Sequence, residues 1–148
     1  MIAFRDLQEI LQTTIRWEKR LDDLYDVASM GLRNKDSKKT VAFLKERQVS
    51  NIEVLDNIEV TDFGPTEWVR FAADEKVEDL IPIKSINKNS TPKQIVEQIL
   101  SFEEKLEQFY KKITDNLVTE SQKELFDSLV RFKDEQIQRI RRFVESEL

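Results

Sequence analysis

Two stretches of this 148-residue chain, 85 positions apart, carry the same pattern. Residues 15–25 read IRWEKRLDDLY, and residues 100–110 read LSFEEKLEQFY. Apolar residues recur in both stretches at steps of three and four, which is the spacing of an amphipathic helix. The same offset places residues 41–58 over residues 126–143, and the apolar positions again coincide. The sequence therefore predicts two copies of a helix pair.

Cap residues indicate where the helices begin and end. Thr91 precedes a proline, and a glutamine follows it three residues later, which predicts a capping box. Asp6 and Ser121 are expected to cap the first and fourth helices, and Gly31 is expected to end the first helix in the left-handed conformation. We therefore predict one all-α domain over residues 1–148, with helices over about 6–31, 37–59, 91–117 and 121–147.

The predicted second and third helices are separated by a long segment, residues 60–90, which contains Pro65 and Pro82. Connections of this length are uncommon unless they have a role. The segment therefore predicts a crossover connection that runs the length of a four-helix bundle. Residues 66–72 are expected to form one or two helical turns, in which Trp68 and Phe71 either hold the connection on the bundle or form an exposed partner site.

The composition excludes several classes of site. The chain has no histidine and no cysteine, so imidazole ligands, histidine-based triads, thiolate metal sites and disulfides are excluded. The net charge is −5, and no basic block suggests nucleic-acid binding. Neither a signal-peptide core nor an apolar run of membrane-spanning length is present in the sequence. We therefore expect a cytoplasmic protein that binds neither nucleic acid nor membrane.

Each predicted helix has polar residues where its apolar stripe crosses the middle of the bundle. Burying an unpaired charge costs several kcal/mol, roughly, even after the surroundings relax. Such a cluster must therefore be ion-paired, hydrated or bound to metal. The residues are Glu18, Gln48, Asn51, Glu103, Lys133 and Gln136.

The glutamates belong to a motif that is found in the rubrerythrin-like branch of the ferritin-like superfamily, and the chain resembles that branch. In that family each of two helices gives a glutamate followed seven residues later by an aromatic residue, and Glu18 with Tyr25 and Glu103 with Tyr110 fit this motif. The resemblance covers nearly the whole chain. It implies a ferritin-like four-helix bundle made of two duplicated helix pairs, with a long crossover between the second and third helices. The chain lacks the cysteines of a rubredoxin domain.

Most of the metal ligands that this resemblance implies are replaced. The family's other two helices each give Glu-x-x-His, which completes a set of four carboxylates and two imidazoles around two iron or manganese ions. Here those positions read Gln48-x-x-Asn51 and Lys133-x-x-Gln136. We therefore expect no di-metal cofactor and no catalytic residue. The chain is expected to be a degenerate family member that acts as a structural or partner-binding scaffold, either as a homodimer or with another protein.

Two interpretations of the polar residues stay open. In the first, the Lys133 ammonium lies between Glu18 and Glu103 in place of metal, and amide groups complete the hydrogen bonds. In the second, the two glutamates hold a single divalent cation, calcium or magnesium rather than iron, and a residual ferroxidase- or peroxidase-like role persists. A shifted helix register would instead present Glu53 or Glu135. Two carboxylates opposite one ammonium also predict a raised pKa for one carboxyl group.

The aromatic residues near the glutamates have two interpretations as well. Tyr25 and Tyr110 are expected to be core tyrosines with satisfied hydroxyls, although tyrosines at these positions are also candidates for redox activity. Trp17 and Phe102 precede the two glutamates by one residue. We expect them to pack against neighbouring helices or the crossover, and the alternative is a dimer face.

Overall fold

Four α-helices form the body of the computed structural model, which describes residues 2–64, 68–72 and 86–147. The all-α class predicted from the sequence is confirmed. A short 3₁₀ helix covers Val60–Phe63, and two short strands form a small antiparallel ribbon, β1 (Ile2–Asp6) with β2 (Trp68–Ala72). The helices are α1 (Leu7–Gly31), α2 (Lys35–Asp56), α3 (Pro92–Asn116) and α4 (Glu120–Glu147).

The helices pack as two hairpins, α1 with α2 and α3 with α4, and α2 also contacts α3. The connection after α2 ends next to the start of the same helix, just before α3 begins. There the Ser37 hydroxyl donates to the Ser90 carbonyl at 2.7 Å, and the Arg33 N–H donates to the Lys88 carbonyl at 3.1 Å. A helix of 22 residues is about 33 Å long, so the connection spans that distance, and α2 and α3 run in the same direction.

Apolar side chains from all four helices form one buried cluster. Positions related by the 85-residue offset are buried alike. Leu21 and Leu106 are both fully buried, and Leu44 and Leu129 have exposed fractions of 0% and 3%. The sequence repeat therefore corresponds to a repeat in burial.

Local cap signals place the helix starts correctly to within two residues. The Thr91 hydroxyl accepts from the Gln94 N–H at 3.2 Å, and the Gln94 side chain accepts from the Thr91 N–H at 3.0 Å, so the capping box is present. The Asp6 side chain accepts a first-turn N–H of α1. The start of α2 comes two residues earlier than predicted, because the Asn34 side chain accepts two first-turn N–H groups.

The predicted end of the first helix at residue 31 is correct, but three other boundary details differ from the prediction. Gly31 is the last residue of α1 and not a left-handed cap, because the chain leaves the helix through Leu32, which is extended and only 3% exposed in the core. The fourth helix begins at Glu120, one residue before the predicted cap Ser121. The second helix ends at Asp56, three residues early, because the chain then turns toward the 3₁₀ helix.

The helical turns predicted over residues 66–72 are wrong for Trp68–Ala72, which is a strand. Its aromatic and β-branched residues favour a strand once a partner is available, and that partner is Ile2–Asp6, far away in sequence. Residues 65–67 and 73–85 of the crossover, which include Pro65 and Pro82, lie outside the described residues. So do the side chains of Trp68 and Phe71, on which the choice between a structural role and a partner site depends.

Candidate functional site

The six polar residues singled out in the sequence meet in one layer at the centre of the four helices, here called the polar layer. Helix α1 gives one of them, α2 two, α3 one and α4 two. None is more than 3% exposed. The exposed fractions are 0% for Glu18, Gln48, Glu103 and Lys133, 2% for Gln136 and 3% for Asn51.

The Lys133 ammonium lies between the two buried carboxylates. Its Nζ donates to Glu103 Oε2 at 2.9 Å and forms an ion pair with the Glu18 carboxylate. The Gln48 side-chain amide donates to the Glu18 carboxylate and, at 2.9 Å, to the Glu18 backbone carbonyl. The position of the ammonium agrees with the first of the two interpretations offered by the sequence. Of the amides expected to complete its hydrogen bonds, Gln48 contacts a glutamate, whereas the Asn51 side-chain nitrogen has no partner among the described residues.

A seventh residue, Arg47, also belongs to the polar layer and was missed in the sequence. Its guanidinium donates to Glu103 Oε1 at 3.1 Å and to Gln136 Oε1 at 3.2 Å. Arg47 is 7% exposed. The layer therefore holds two carboxylates and two cations, and its charge is balanced.

Arg47 reverses the predicted electrostatics of the layer. Burial alone would raise the pKa of Glu103, but Lys133 and Arg47 together outweigh burial and lower it below the ordinary value. Burial alone would lower the pKa of Lys133, but the two glutamates outweigh burial and raise it. The charge count behind the predicted raised pKa is therefore wrong, because it included only one cation, and the pKa of Glu103 is lowered instead.

A signal for Arg47 was present in the periodicity. It lies three residues after Leu44 and four before Asn51, and all three side chains are buried. The apolar stripe also passes through Gln48, and an arginine beside a polar core residue is more often a solvent-facing neighbour. A buried arginine is predicted where an arginine lies three or four residues from core positions and the core is expected to hold more negative than positive charge.

The alternative helix register does not occur. Glu53 and Glu135, which a shifted register would have turned inward, are both exposed. The apolar stripe and the constant offset therefore identify the buried carboxylates correctly as Glu18 and Glu103.

The two tyrosines are fully buried, as expected for core tyrosines. Neither phenol oxygen has a hydrogen-bond partner among the described residues, so the expectation of satisfied hydroxyls is wrong. Burial raises the pKa of the Tyr25 phenol, although Arg47 acts in the opposite direction. Burial also raises the pKa of Tyr110, whose ring meets Phe126 edge-on at a centroid distance of 6.2 Å. Both phenols are therefore neutral at physiological pH.

Trp17 and Phe102 pack inside the chain. Phe102 is fully buried, and Trp17 is 6% exposed with its ring edge-on to Phe109 of α3 at 4.9 Å. These two side chains therefore pack against neighbouring helices, which is the first of their two predicted roles.

The residues of the polar layer do not fit a di-metal centre. Four of the six family positions lack a carboxylate or imidazole, and an ammonium contacts both of the remaining carboxylates. Within the described part of the chain, three acidic groups approach one another closely at Asp22, Asp23 and Asp26. That cluster is on the outer side of α1, where Lys45 pairs with Asp22 at 3.0 Å and with Asp26 at 2.9 Å. It is a surface ion-pair group.

Comparisons with known proteins do not extend this description. No protein-family model, no curated protein sequence and no solved structure matches the chain at a significant level. Within the described residues, no helix is both long and apolar enough to cross a membrane.

Proposed function

We propose that the chain is a ferritin-like bundle of two duplicated helix pairs whose polar layer replaces a di-metal centre, and that it acts as a structural or partner-binding scaffold. The contact of the Lys133 ammonium with both Glu18 and Glu103 carries this proposal. Equal burial of positions 85 residues apart supports the duplicated pairs. The connection that spans the length of α2 supports the ferritin-like order of helices.

The chemistry of the donor set argues against retained metal catalysis. Two iron or manganese ions in such bundles rest on four carboxylates and two imidazoles, and this chain has no histidine. Glu18 and Glu103 are neutralised by Lys133 and Arg47. A divalent cation would therefore have to displace an ammonium and disturb a guanidinium before any carboxylate became free.

The same observation weighs on the single-cation alternative. Calcium and magnesium need several oxygen ligands around one point, whereas the Gln48 amide donates through its nitrogen to Glu18. The Gln136 side-chain oxygen already accepts from Arg47. Among the described residues the Gln48 side-chain oxygen has no hydrogen-bond partner, but one unpartnered amide oxygen beside two ion-paired carboxylates is far short of the roughly six oxygen ligands that these cations take. A scaffold without metal is therefore the function that the geometry supports best.

Metal analysis and thermal unfolding test this proposal. We expect protein purified without chelators to contain far less than one iron or manganese per chain. The thermal midpoint should not change when iron(II), manganese, calcium or magnesium is added, because only a ligand that binds the native state raises stability. Stoichiometric metal, or a midpoint that rises with metal concentration, would contradict the scaffold proposal.

A reconstructed ligand set tests the ferritin-like part separately. A variant with Gln48→Glu, Asn51→His, Lys133→Glu and Gln136→His carries Glu-x-x-His on both α2 and α4, and Arg47→Leu removes the remaining cation. We expect its thermal midpoint to rise on addition of manganese, whereas that of the parent stays constant. A helical variant that shows no such rise would mean that these positions are not equivalent to the family's metal ligands.

A further inference from the structure

A surface groove of about 570 Å³ lies between α2 and α4, next to the polar layer. Arg47 and Asn51 connect the two, because they belong to the layer and also line the groove. Pockets for small organic ligands generally have volumes of about 300–1,000 Å³. The groove is therefore large enough for a small molecule. Its other principal lining residues are Phe43, Arg139, Arg142 and Phe143.

Exposed positive charge lines the groove. Arg139 and Arg142 are exposed, and neither makes an ion pair with a residue that the structure describes. Of the two acidic side chains in the lining, Glu147 pairs with Lys39 at 3.4 Å, which leaves Glu46. Two guanidinium groups and one remaining carboxylate give the groove a local positive charge, which favours binding of an anion. The whole chain, in contrast, has a net charge of −5.

The groove also has an aromatic wall. The Phe43 and Phe143 rings stack with centroids 4.1 Å apart and an interplanar angle of 5°, and both side chains are only partly buried. A flat apolar group placed on this stack would remove its remaining apolar surface from water. The wall and the arginines therefore favour a ligand with an apolar body and an anionic end.

Buried donors without acceptors lie where the groove meets the polar layer. The Asn51 side chain is 3% exposed, and its nitrogen has no hydrogen-bond partner among the described residues. The Nε atom of Arg47 is in the same situation. A buried donor without an acceptor destabilises the fold. Both atoms lie out of contact with solvent, so a small side-chain movement at the base of the groove would let an oxyanion supply the missing acceptors.

We propose that this groove binds a small organic oxyanion, a carboxylate or a phosphate ester, with a flat apolar body. The oxyanion is held by Arg139 and Arg142 and oriented toward Asn51, and its apolar body lies on the Phe43–Phe143 stack. This inference uses the groove together with Arg47 and Asn51, which the groove shares with the polar layer, and it does not depend on the ferritin-like part of the proposed function.

Calorimetric titration of the full chain with four probes tests the proposal. Naphthoate and naphthyl phosphate carry the same ring with the two oxyanions, naphthol lacks the charge, and inorganic phosphate lacks the ring. We expect at least one of the two charged naphthyl probes to bind, and to bind at least tenfold more tightly than naphthol or inorganic phosphate. The stronger of the two identifies the oxyanion. Binding of naphthol with equal affinity, binding of inorganic phosphate with equal affinity, or no binding of either charged probe would overturn the proposal.

Two variants locate the site. The Arg139→Gln/Arg142→Gln variant should lose at least tenfold in affinity for the charged probe. Arg131→Gln is the matched control, because Arg131 is exposed on the same helix, donates to Ser128 at 3.0 Å and does not line the groove. These arginines are at the surface, so circular dichroism should show unchanged helicity. An equal loss of affinity in the control, or no loss in the double variant, would overturn the assignment.

Discussion

At the scale of single residues, the polar layer depends on each carboxylate having a cation of its own. Lys133 contacts Glu18 and Glu103, and Arg47 contacts Glu103 from the other side. An intact buried ion pair contributes little net stability, because the desolvation of both charges offsets their attraction. Removing one partner is costly, because the other charge is left buried and uncompensated.

Replacing Lys133 by methionine should therefore destabilise the protein strongly. Methionine fills a similar volume, but it leaves two negative charges opposite Arg47 alone. We expect the free energy of unfolding to fall by about 3–5 kcal/mol, measured by urea denaturation at neutral pH. Lys105→Met is the control on α3, because Lys105 is exposed, and such a surface change is expected to alter stability by less than about 0.5 kcal/mol.

A compensating change distinguishes the charge effect from a packing effect. Glu18→Gln combined with Lys133→Met removes one negative and one positive charge and leaves Glu103 paired with Arg47. The double variant should be more stable than Lys133→Met alone. If Lys133→Met is as stable as the parent, or if the double variant recovers nothing, the ion pairs do not control the stability of the layer.

Some residues of this layer could be predicted from the sequence as buried, and others could not. Glu18 and Glu103 could be predicted as buried partners, because both interrupt an apolar stripe at the same place in a repeat. Arg47 could not be assigned in the same way, because its offset partner is Phe132 and nothing in the repeat marks it. Whether an arginine at the edge of a stripe turns inward depends on the charges it meets there, which come from other helices.

At the scale of elements, the helices could be predicted and the ribbon could not. A helix start depends on residues within one turn, so the capping box at Thr91 was visible in the sequence. The strand Trp68–Ala72 depends on pairing with Ile2–Asp6, and such distant pairing leaves no local pattern. The end of α1 at Gly31 is predicted correctly, but its left-handed conformation is not, because burial of Leu32 in the core decides how the chain leaves the helix.

Removing the cap of α3 should have a small but measurable cost. Thr91→Ala deletes the hydroxyl that accepts from the Gln94 N–H, so we expect a loss of about 1 kcal/mol in the free energy of unfolding. Thr91→Ser keeps the hydroxyl and should stay close to the parent. Urea denaturation of the three proteins measures the difference. If alanine and serine have equal effects, the hydroxyl does not cap the helix.

At the scale of the whole molecule, the buried ionisable groups define a pH range of stability. The pKa of Glu103 is lowered in the folded state, so its contribution is present above its unfolded value of 4.5 and is lost as the pH falls through the folded pKa. The pKa values of Lys133, Tyr25 and Tyr110 are raised. Their contributions are present below the unfolded values and are lost as the pH rises through the folded ones.

The loss of stability at high pH can be followed by tyrosine ionisation. This signal comes from the protein interior alone, because Tyr25 and Tyr110 are the chain's two tyrosines and both are fully buried. An exposed phenol ionises near pH 10.0. We expect no tyrosinate absorbance at that pH while the chain stays folded, and then a rise in absorbance that coincides with the loss of helical circular dichroism. The urea midpoint should also be lower at about pH 11 than at about pH 8, because the unfolded state then releases protons that the folded state retains. A matching titration in urea supplies the ordinary phenol curve as a control. Tyrosinate absorbance that appears near pH 10.0 with unchanged helicity would show that water reaches these phenols. That result would contradict the water-free interior on which the ion-paired polar layer depends.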